Sequence, residues 1–320
     1  MLPMMHVVDI PMTTRFRGIT SRQALLVRGD IGWAEWSPFL DYAGTELVPW
    51  WHACVEAADV GFPDPVRSQI PVNCTVPAVG PEQAYRIVER SGCATAKVKV
   101  AEPGQTAADD QARVEAVRAA LGSSGRLRVD ANGWWDVDTA LSRLRVLAHS
   151  DLEYAEQPCA GVEELAELRR ALARAGVDVP IAADESIRRV SDPERVAAIG
   201  AADIAVLKVQ PLGGVGACLR LAEQLGLPVV VSSALETSIG LAAGVALAAA
   251  LPELPYACGL NTAALLTDDV GVPSVRAVDG MISVQSVDLD PVAVGRLAAS
   301  AQVTDFWQAR RVQTQQLAAR

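Results

Sequence analysis

Ionisable and polar side chains cluster at the carboxyl ends of successive short apolar runs in this sequence. In chain order they are Lys97 and Lys99, Asp130 and Asn132, Glu156, Asp184 and Glu185, Lys208, and Ser232, Ser233 and Glu236. Lysines and carboxylates brought to neighbouring strand ends can exchange protons with a substrate or hold a metal ion. The pattern therefore indicates catalytic chemistry.

Lys97 and Lys99 are two residues apart, so on a strand both side chains point to the same face. If that face is the interior of a barrel, an unpaired ammonium group there is costly. Each lysine then needs an anionic partner. The acids on the three following strands, Asp130, Glu156 and Asp184, are the candidates.

Asp130, Glu156 and Asp184 are separated by 26 and 28 residues, one per repeat of strand and helix. Three adjacent carboxylates repel one another, so they need either raised pKa values or a shared cation. An oxygen-only donor set favours Mg²⁺, with Mn²⁺ as a substitute, over Zn²⁺. A metal and a lysine base together suit a carboxylate substrate that loses its α-proton.

Each of these features has an ordinary explanation when taken singly. An aspartate at a strand end is often a helix N-cap, and two lysines two residues apart often mark an exposed strand face. Caps do not explain acids on three consecutive strands with lysines on the strands before and after them. The joint arrangement favours the catalytic interpretation.

From Pro71 onwards, short β-rich runs alternate with amphipathic helices such as Asp109–Leu121 and Val162–Ala175. The predicted strands are Val72–Val76, Ala96–Val100, Leu127–Asp130, Leu152–Glu156, Ile181–Asp184, Ile204–Val209, Pro228–Ser232 and Ala257–Leu260. Eight such units predict a closed α/β barrel with its active site at the carboxyl ends of the strands. An open doubly wound sheet is the alternative, but no glycine-rich dinucleotide motif follows the first strand.

The first 70 residues differ from this pattern. Short antiparallel strands are predicted at Met5–Ile10, Ala24–Val27 and Gly32–Ser37, with a helix over Glu46–Val60. We expect one domain at residues 1–70, joined by a return segment near 280–320, and a catalytic barrel at 71–279. The glutamine-rich tail Trp307–Arg320 is compatible with either a helix or disorder.

Composition excludes several classes of protein. The 320 residues carry 28 Lys+Arg against 38 Asp+Glu, a formal charge of −10, which argues against a nucleic-acid partner. The apolar segment Ile239–Leu251 is too short to span a bilayer and predicts a buried helix rather than a membrane protein. Six scattered cysteines with no CxxC spacing, and an N-terminus unlike a signal peptide, indicate reduced thiols in a cytoplasmic protein rather than disulfides.

The chain resembles the enolase superfamily over nearly its full length. The matching segments are Lys97-Val-Lys99, Val129-Asp130-Ala-Asn132, Glu156-Gln157-Pro158, Ala183-Asp184-Glu185-Ser186 and Lys208-Val-Gln-Pro-Leu-Gly213-Gly214. With lysines on both the second and the sixth strand, it is similar to the muconate-lactonizing-enzyme-like subgroup. This resemblance implies a (β/α)7β-type TIM barrel with an N-terminal α+β capping domain.

Within the subgroup, the closer resemblance is to dehydratases that form 2-succinylbenzoate from 2-succinyl-6-hydroxy-2,4-cyclohexadiene-1-carboxylate in menaquinone biosynthesis. It is carried by segments 15–20, 32–42, 232–240 and 257–262. The resemblance implies that Lys99 is the base, that Lys208 stabilises the enediolate, and that Asp130, Glu156 and Asp184 hold Mg²⁺. The other implied residues are Lys97, Asn132 and Glu185, which support the base and the ligands, and Ser232, Ser233, Gly259 and Leu260, which receive the succinyl tail.

The catalytic lysines do not separate this reaction from two others on the same scaffold, because N-succinylamino acid racemases and dipeptide epimerases share them. Dipeptide epimerases resembling this chain carry an acidic pair after the eighth strand, whereas here Cys258-Gly-Leu-Asn-Thr262 follows. A non-catalytic binding protein on a decayed barrel is the third hypothesis. It predicts the loss of at least one ligand or lysine, and all five residues are present. Loops 15–20 and 39–42 are expected to close over the site.

Overall fold

The computed structural model describes residues 4–189 and 193–320. Its N-terminal part is an antiparallel sheet of β1 (Met5–Phe16), β2 (Ile19–Arg28) and β3 (Trp33–Trp36), paired in chain order. Helix α1 (Leu47–Val55) follows a 3₁₀ turn (Gly44–Glu46) and continues as a π-helical turn (Glu56–Val60). The predicted strands and helix are confirmed, but β1 and β2 are longer than predicted. They form one hairpin whose tip is Arg17 and Gly18, both at positive φ.

The parallel strands of the barrel follow one another in chain order around a single sheet. They are β5 (Cys74–Val76), β6 (Thr95–Lys99), β7 (Arg126–Asp130), β8 (Leu152–Glu156), β9 (Ile181–Ala183), β10 (Ile204–Lys208) and β11 (Val229–Ser232). Four short strands form two separate two-stranded sheets, in which β4 (Gln69–Pro71) pairs with β13 (Met281–Ser283) and β12 (Gly271–Val272) pairs with β14 (Asp288–Leu289).

Residues 257–260 close the barrel, although they do not form the regular strand that was predicted there. Cys258 bridges to Val72, and Gly259 bridges to Ser232 at the end of β11. The segment then turns at once into a 3₁₀ helix (Asn261–Leu265), which leaves too few residues for a longer ladder. The barrel topology is nevertheless the (β/α)7β type, since these two bridges connect both edges of the sheet.

The connections between barrel strands are helical, as parallel pairing requires. They are α2 (Pro81–Ser91), α3 (Ala107–Leu121), α4 (Val137–Leu147) with a 3₁₀ turn (Ala148–Ser150), α5 (Val162–Arg174), α6 (Glu185–Arg188), α7 (Arg195–Ala198), α8 (Val209–Leu212), α9 (Val215–Leu225) and α10 (Ser238–Ala250). Helix α10 is buried over most of its length, which confirms the prediction for Ile239–Leu251. Among the described residues, no helix combines the length and apolar character needed to cross a membrane.

The C-terminal segment returns to the N-terminal sheet through α11 (Pro291–Arg296) and α12 (Ala301–Ala318). The tail is therefore helical. Trp307 of α12 is buried, packs edge-on against Trp36 of β3 and donates through Nε1 to Gln23 Oε1 at 2.9 Å. Strand β13 pairs with β4, so the returning chain contacts both parts of the molecule.

Glu56 joins the π-helical turn to the barrel. Its Oε1 accepts from the Gly216 amide at 3.0 Å, and its Oε2 accepts from the Val215 amide at 2.5 Å. A carboxylate satisfies the free amides at the start of α9 and opposes the positive end of its dipole. Gly214 lies at φ +119°, and a Cβ there would clash with the Glu56 carboxylate, so this docking requires glycine.

Candidate active site

The chain contains three lysines, and all three lie at the carboxyl end of the barrel. Lys97 and Lys99 both project into the barrel interior from β6, as their spacing predicts, and Lys208 ends β10. All three side chains are buried. Strands β6 and β10 are four positions apart in the barrel, so Lys99 and Lys208 approach the centre from opposite sides.

Lys97 and Lys99 are paired with the acids predicted to partner them. Lys97 Nζ donates to Glu156 Oε1 at 2.7 Å and lies 3.1 Å from Asp130 Oδ2. Lys99 Nζ donates to the same Asp130 oxygen at 2.6 Å and to Asn132 Oδ1 at 2.7 Å. Parallel register brings these groups together, because Lys99 is aligned with Asp130, and Asp130 with Glu156.

The two lysines of β6 differ in their proton affinity. Burial lowers the pKa of Lys99, and the neighbouring Lys97 ammonium lowers it further, which outweighs the opposing effect of Asp130. Burial acts on Lys97 in the same direction, but Glu156 and Asp130 outweigh it and raise its pKa. Lys99 is therefore the lysine of this strand that gives up its proton more readily, which is the property a general base needs.

Asp184 lies between β9 and α6 and binds two cations. Lys208 Nζ donates to its Oδ2 at 2.5 Å, and Arg188 Nε donates to its Oδ1 at 2.8 Å. Burial would raise the pKa of Asp184, but Arg188 and Lys208 hold it well below its usual range. Lys99 and Lys97 do the same for Asp130, whereas burial and the charges of Asp130 and Asp184 raise the pKa of Glu156 to about 7.

Arg188 is a site residue that was not predicted from the sequence. Besides Asp184, its guanidinium donates to Glu185 Oε1 at 2.5 Å and to the Tyr42 hydroxyl of the N-terminal part. Asp184 and Arg188 are four residues apart in Asp184-Glu-Ser-Ile-Arg188, a spacing at which opposite charges on a helical turn meet. This four-residue spacing is the feature of the sequence from which the ion pair could have been predicted.

Gln157, which belongs to the segment Glu156-Gln157-Pro158, connects two turns at the carboxyl end of the barrel. Its Oε1 accepts from the amides of Asp184 at 2.9 Å and Ser186 at 3.1 Å, and its Nε2 donates to Cys159 O at 2.8 Å. The side chain is fully buried. It thus fixes the turn after β8 to the turn after β9, and holds the Asp184 backbone in place.

Asp130, Glu156 and Asp184 fit a hard divalent cation by their chemistry, since they offer only oxygen donors from three successive strands. Glu156 Oε2 is buried and finds no hydrogen-bond partner within the described ranges, which is costly for a carboxylate oxygen. In the positions that the described side chains occupy, no three acidic, histidine or cysteine side chains converge as a metal-ligand group. Asp130 is already bound by two ammonium groups, and Asp184 by one ammonium and one guanidinium group. A metal ion must therefore replace some of these ion pairs when it binds.

A cavity opens directly above this cluster. Its floor includes Lys97, Lys99, Asp130, Asn132 and Lys208. Glu156 and Asp184 do not line the cavity, but each binds a lysine of its floor, Lys97 and Lys208 respectively. Glu185 is linked to the floor through Asn132 Nδ2, which donates to Glu185 Oε1 at 3.3 Å. The base candidates and the acids are therefore brought together at one end of the barrel.

The residues predicted to receive a succinyl tail lie on one side of this cavity. Ser232, Ser233 and Gly259 line it, and Ser233 Oγ donates to Gly259 O at 2.8 Å. The Leu260 side chain is fully buried in the barrel core and is not part of the cavity wall. Thr262, which the sequence analysis did not single out, lines the cavity and shares a 2.8 Å hydrogen bond with Ser233.

The N-terminal part supplies the opposite wall. Phe16 and Arg17 from the hairpin tip, together with Phe39, line the cavity, and the Phe16 ring lies 5.4 Å from Lys99 Nζ. Arg310 of α12 fixes the segment around Phe39, because its guanidinium donates to the carbonyls of Pro38, Phe39 and Tyr42 at 2.7–2.9 Å. Both predicted loops thus reach the site.

Comparison with known families agrees with this architecture. Residues 81–288 match the family model for the enolase C-terminal domain-like region, and residues 7–58 match the enolase N-terminal domain-like model. Solved structures with the same fold include an N-succinyl Arg/Lys racemase from Bacillus cereus, with a TM-score of 0.79 at 20% identity over 94% of this chain and 99% of that one. Another is the muconate lactonizing enzyme of Pseudomonas putida, with a TM-score of 0.75 at 22% identity over 93% of this chain and 99% of that one.

Curated relatives are much closer in sequence. The o-succinylbenzoate synthase of Thermobifida fusca is 63% identical over 94% of this chain and 92% of its own length. The proteins of that name from Mycobacterium marinum and Mycobacterium tuberculosis are 50% and 48% identical over 96% of this chain and 92% of theirs. This chain therefore belongs to the o-succinylbenzoate synthase family of the enolase superfamily.

Proposed function

We propose that the cluster around Lys99 catalyses the family reaction as an Mg²⁺-dependent syn elimination of water. The substrate is 2-succinyl-6-hydroxy-2,4-cyclohexadiene-1-carboxylate, and the product is 2-succinylbenzoate, an intermediate of menaquinone biosynthesis. The observation that carries this proposal is the position of Lys99. Its ammonium group is buried in the cavity floor next to Lys97 and Asp130, with Lys208 on the opposite side.

Lys99 carries the proton through both halves of the reaction. As the neutral amine, it takes the proton α to the substrate carboxylate, and the C–H electron pair moves into the carboxylate to give an enediolate. The Lys99 ammonium then returns this proton to the departing hydroxyl group on the same face. The electron pair forms the double bond that completes the aromatic ring, and water leaves. One proton carrier on one face accounts for syn stereochemistry.

Neighbouring side chains prepare Lys99 for this task. Lys97 lowers its pKa by charge repulsion, and Asn132 Oδ1 accepts a hydrogen bond from its Nζ and orients the amine. Glu185 in turn accepts from the amide nitrogen of Asn132. These three residues support the base without exchanging a proton with substrate.

Lys208 faces the ring from the other side of the barrel. Its ammonium charge stabilises the enediolate electrostatically or through a cation–π contact with the developing ring. Asp184 and the β10 backbone hold it in position, with Nζ 2.5 Å from Asp184 Oδ2. In this scheme, Lys208 stays protonated throughout.

Family membership implies a divalent metal, and we assign it to Asp130, Glu156 and Asp184. Mg²⁺ suits the oxygen-only donor set, and Mn²⁺ is the expected substitute. When bound, the cation supplies positive charge against the negative charge that develops on the substrate carboxylate. The unpartnered Glu156 Oε2 supports this assignment, because a buried carboxylate oxygen favours a cation beside it.

The succinyl tail is assigned to the side of the cavity formed by Ser232, Ser233 and Gly259, with the backbone of Leu260 behind them. The Ser233 and Thr262 hydroxyls would donate to the tail carboxylate by exchanging their present hydrogen bonds, which run to Gly259 O and to each other. The absence of a side chain at Gly259 leaves room beside Ser232. This small-molecule carboxylate is the partner that the site is built to hold.

The same proposal divides the chain into a capping domain at residues 1–70, with its return segment near 280–320, and a catalytic barrel at 71–279. The hairpin tip and the Phe39 segment then form the lid over the barrel. All six cysteines lie in the described part as buried free thiols, which agrees with the reducing environment of the cytoplasm.

The decisive experiment compares three substrate classes on the purified protein with Mg²⁺. We expect the cyclohexadiene carboxylate to be converted to 2-succinylbenzoate, followed by the change in ultraviolet absorbance as the ring becomes aromatic. N-succinylamino acids and an Ala-Glu dipeptide serve as the comparison, and their isomerisation is followed by the change in optical rotation or by incorporation of deuterium at the α-carbon in D₂O. Efficient exchange of either one without formation of 2-succinylbenzoate would assign the site to an isomerase.

A further inference from the structure

A second buried charged cluster lies between the N-terminal sheet and the loop after β11. It consists of Arg22 on β2, Glu35 on β3 and Glu236, and each side chain is at most 3% exposed. None of these residues touches Lys99, Lys208 or the three acids assigned to the metal. A buried cluster of this kind needs every group to be paired, so its contacts indicate what it holds in place.

On the barrel side, Arg22 holds a strained turn. Its Nε donates to Leu235 O at 3.0 Å, and its Nη2 donates to Ala234 O at 3.1 Å. Leu235 has φ +64°, in the left-handed region that a leucine rarely adopts. Glu236 Oε2 accepts from the Ala234 amide at 2.6 Å and closes the turn from its other end. Surrounding contacts must maintain such a conformation.

On the side of the N-terminal part, the same guanidinium holds Ser37 and Phe39. Its Nη2 donates to Ser37 Oγ at 2.9 Å and also to the Ser37 carbonyl. The guanidinium carbon lies 4.5 Å from the centre of the Phe39 ring. Phe39, Ala234 and Leu235 all line the substrate cavity, whereas Arg22 itself does not.

Glu35 completes the link. Its Oε1 accepts from Ser37 Oγ at 2.6 Å, and its Oε2 accepts from Thr237 Oγ1 at 2.6 Å and from the Gly240 amide at 3.2 Å. A Cβ at Gly240 would lie 2.7 Å from the Glu236 Cβ and 2.9 Å from Glu35 Oε2. The start of α10 is therefore packed directly onto the two carboxylates.

We propose that Arg22 is a positioning residue that sets the shape of the substrate cavity by fixing Leu235 and Phe39, one wall from each part of the molecule, on a single guanidinium. The rigid fork of arginine donors serves these carbonyl and hydroxyl acceptors at once, together with Gln23 O, which accepts from Nη1 at 3.2 Å. A lysine ammonium cannot do so. The inference rests on the proposed function only in taking this cavity as the substrate site. Its effect is on binding, because the base and the acids are held by β6 to β10.

The test compares Arg22→Lys with Arg28→Lys, a matched change at an exposed position of the same strand. We expect Arg22→Lys to raise KM about ten-fold while kcat changes less than about two-fold, since a misplaced wall weakens substrate binding without altering the base. Hydrogen exchange of the amides at 234–240 should accelerate about ten-fold. Segment 38–42 should change less, because Arg310 also holds it. Arg28→Lys should match the parent chain in every measurement.

Hydrogen exchange is measured without substrate, so it tests the role of Arg22 even if the proposed reaction is wrong. Ser37→Ala provides a second variant should Arg22→Lys fail to fold. It removes one Arg22 acceptor and one Glu35 donor. We expect faster exchange at 234–240, because Arg22 and Glu35 both bind that segment. Parent-like exchange at 234–240 in the folded variants, or a fall in kcat with unchanged KM, overturns the proposal.

Discussion

Lys99 and Asp130 are aligned in the register of two neighbouring barrel strands, and Lys99 Nζ lies 2.6 Å from Asp130 Oδ2. That same oxygen is 3.1 Å from Lys97 Nζ, so two ammonium groups share one carboxylate oxygen. Two cations competing for one partner in a buried site favour loss of a proton from one of them. The geometry therefore makes Lys99 a base, whereas Lys97 on the same strand remains charged.

Lys99→Ala should abolish formation of 2-succinylbenzoate, with kcat reduced by at least about 10³-fold, because no other group occupies its place at the substrate. Calorimetric titration with Mg²⁺ should still show binding, since the three carboxylates remain. Turnover within ten-fold of the parent chain, at about the parent's metal affinity, would remove Lys99 as the base.

Lys208→Ala should lower kcat by about 10²-fold or more, because a buried positive charge on the far side of the ring is lost. Lys208→Arg retains the charge at a different geometry, and we expect it to recover part of the rate. Steady-state kinetics of the two variants decides the point. Equal rates for the alanine variant and the parent chain would show that Lys208 plays no part in the reaction.

Removal of divalent metal with EDTA should stop the reaction, and added Mg²⁺ or Mn²⁺ should restore it. Asp184→Asn weakens the donor set. It also removes the anionic partner of Lys208 and one of the two that Arg188 binds, Glu185 being the other, so we expect weaker Mg²⁺ binding in titration calorimetry. Glu82→Gln, at an exposed acid on α2, is the matched control. Full activity in EDTA-treated protein would contradict the three-carboxylate assignment.

Folding stability should depend on the protonation of Glu236. Burial and the nearby Glu35 carboxylate raise the pKa of Glu236 to about 7 against the opposing charge of Arg22. A raised pKa means that the folded state favours the protonated form of Glu236. Its contribution to the unfolding free energy is therefore fully present below the unfolded pKa of 4.5, and it is lost as the pH rises to about 7. In the parent chain, Glu236 should lower the unfolding free energy by about 3 kcal/mol between pH 4.5 and 7, and Glu236→Gln should abolish this decrease. Parallel pH profiles of parent and variant in urea unfolding would contradict it.

The lysine content offers a further test of burial at the site. Because all three lysines are buried and paired, brief treatment of the native protein with an amine-acetylating reagent should leave their side chains unmodified. After unfolding in urea, intact-mass measurement should show three additional acetyl groups. Modification of Lys97 in the native state would show that the β6 cluster is open to solvent.

Local sequence patterns were enough to predict where the chemistry lies along the chain. Two-residue periodicity placed Lys97 and Lys99 on one face of β6, and the repeat of strand and helix placed Asp130, Glu156 and Asp184 at neighbouring strand ends. Both inferences depend on local geometry, which short-range sequence patterns encode. The buried helix α10 was predictable for the same reason.

The contacts between groups that are distant in the chain could not be predicted in this way, because they depend on how the folded parts pack together. Arg22 and Leu235 are 213 residues apart, and Arg310 is 268 residues from Tyr42, so no periodicity relates them. Which of two adjacent lysines gives up its proton depends on the carboxylates that face each one. The sequence of the tail was compatible with a helix or with disorder, because a helix of mixed polarity is stabilised mainly by the surface that it covers. The structure supplies that surface, since Trp307 is buried against Trp36.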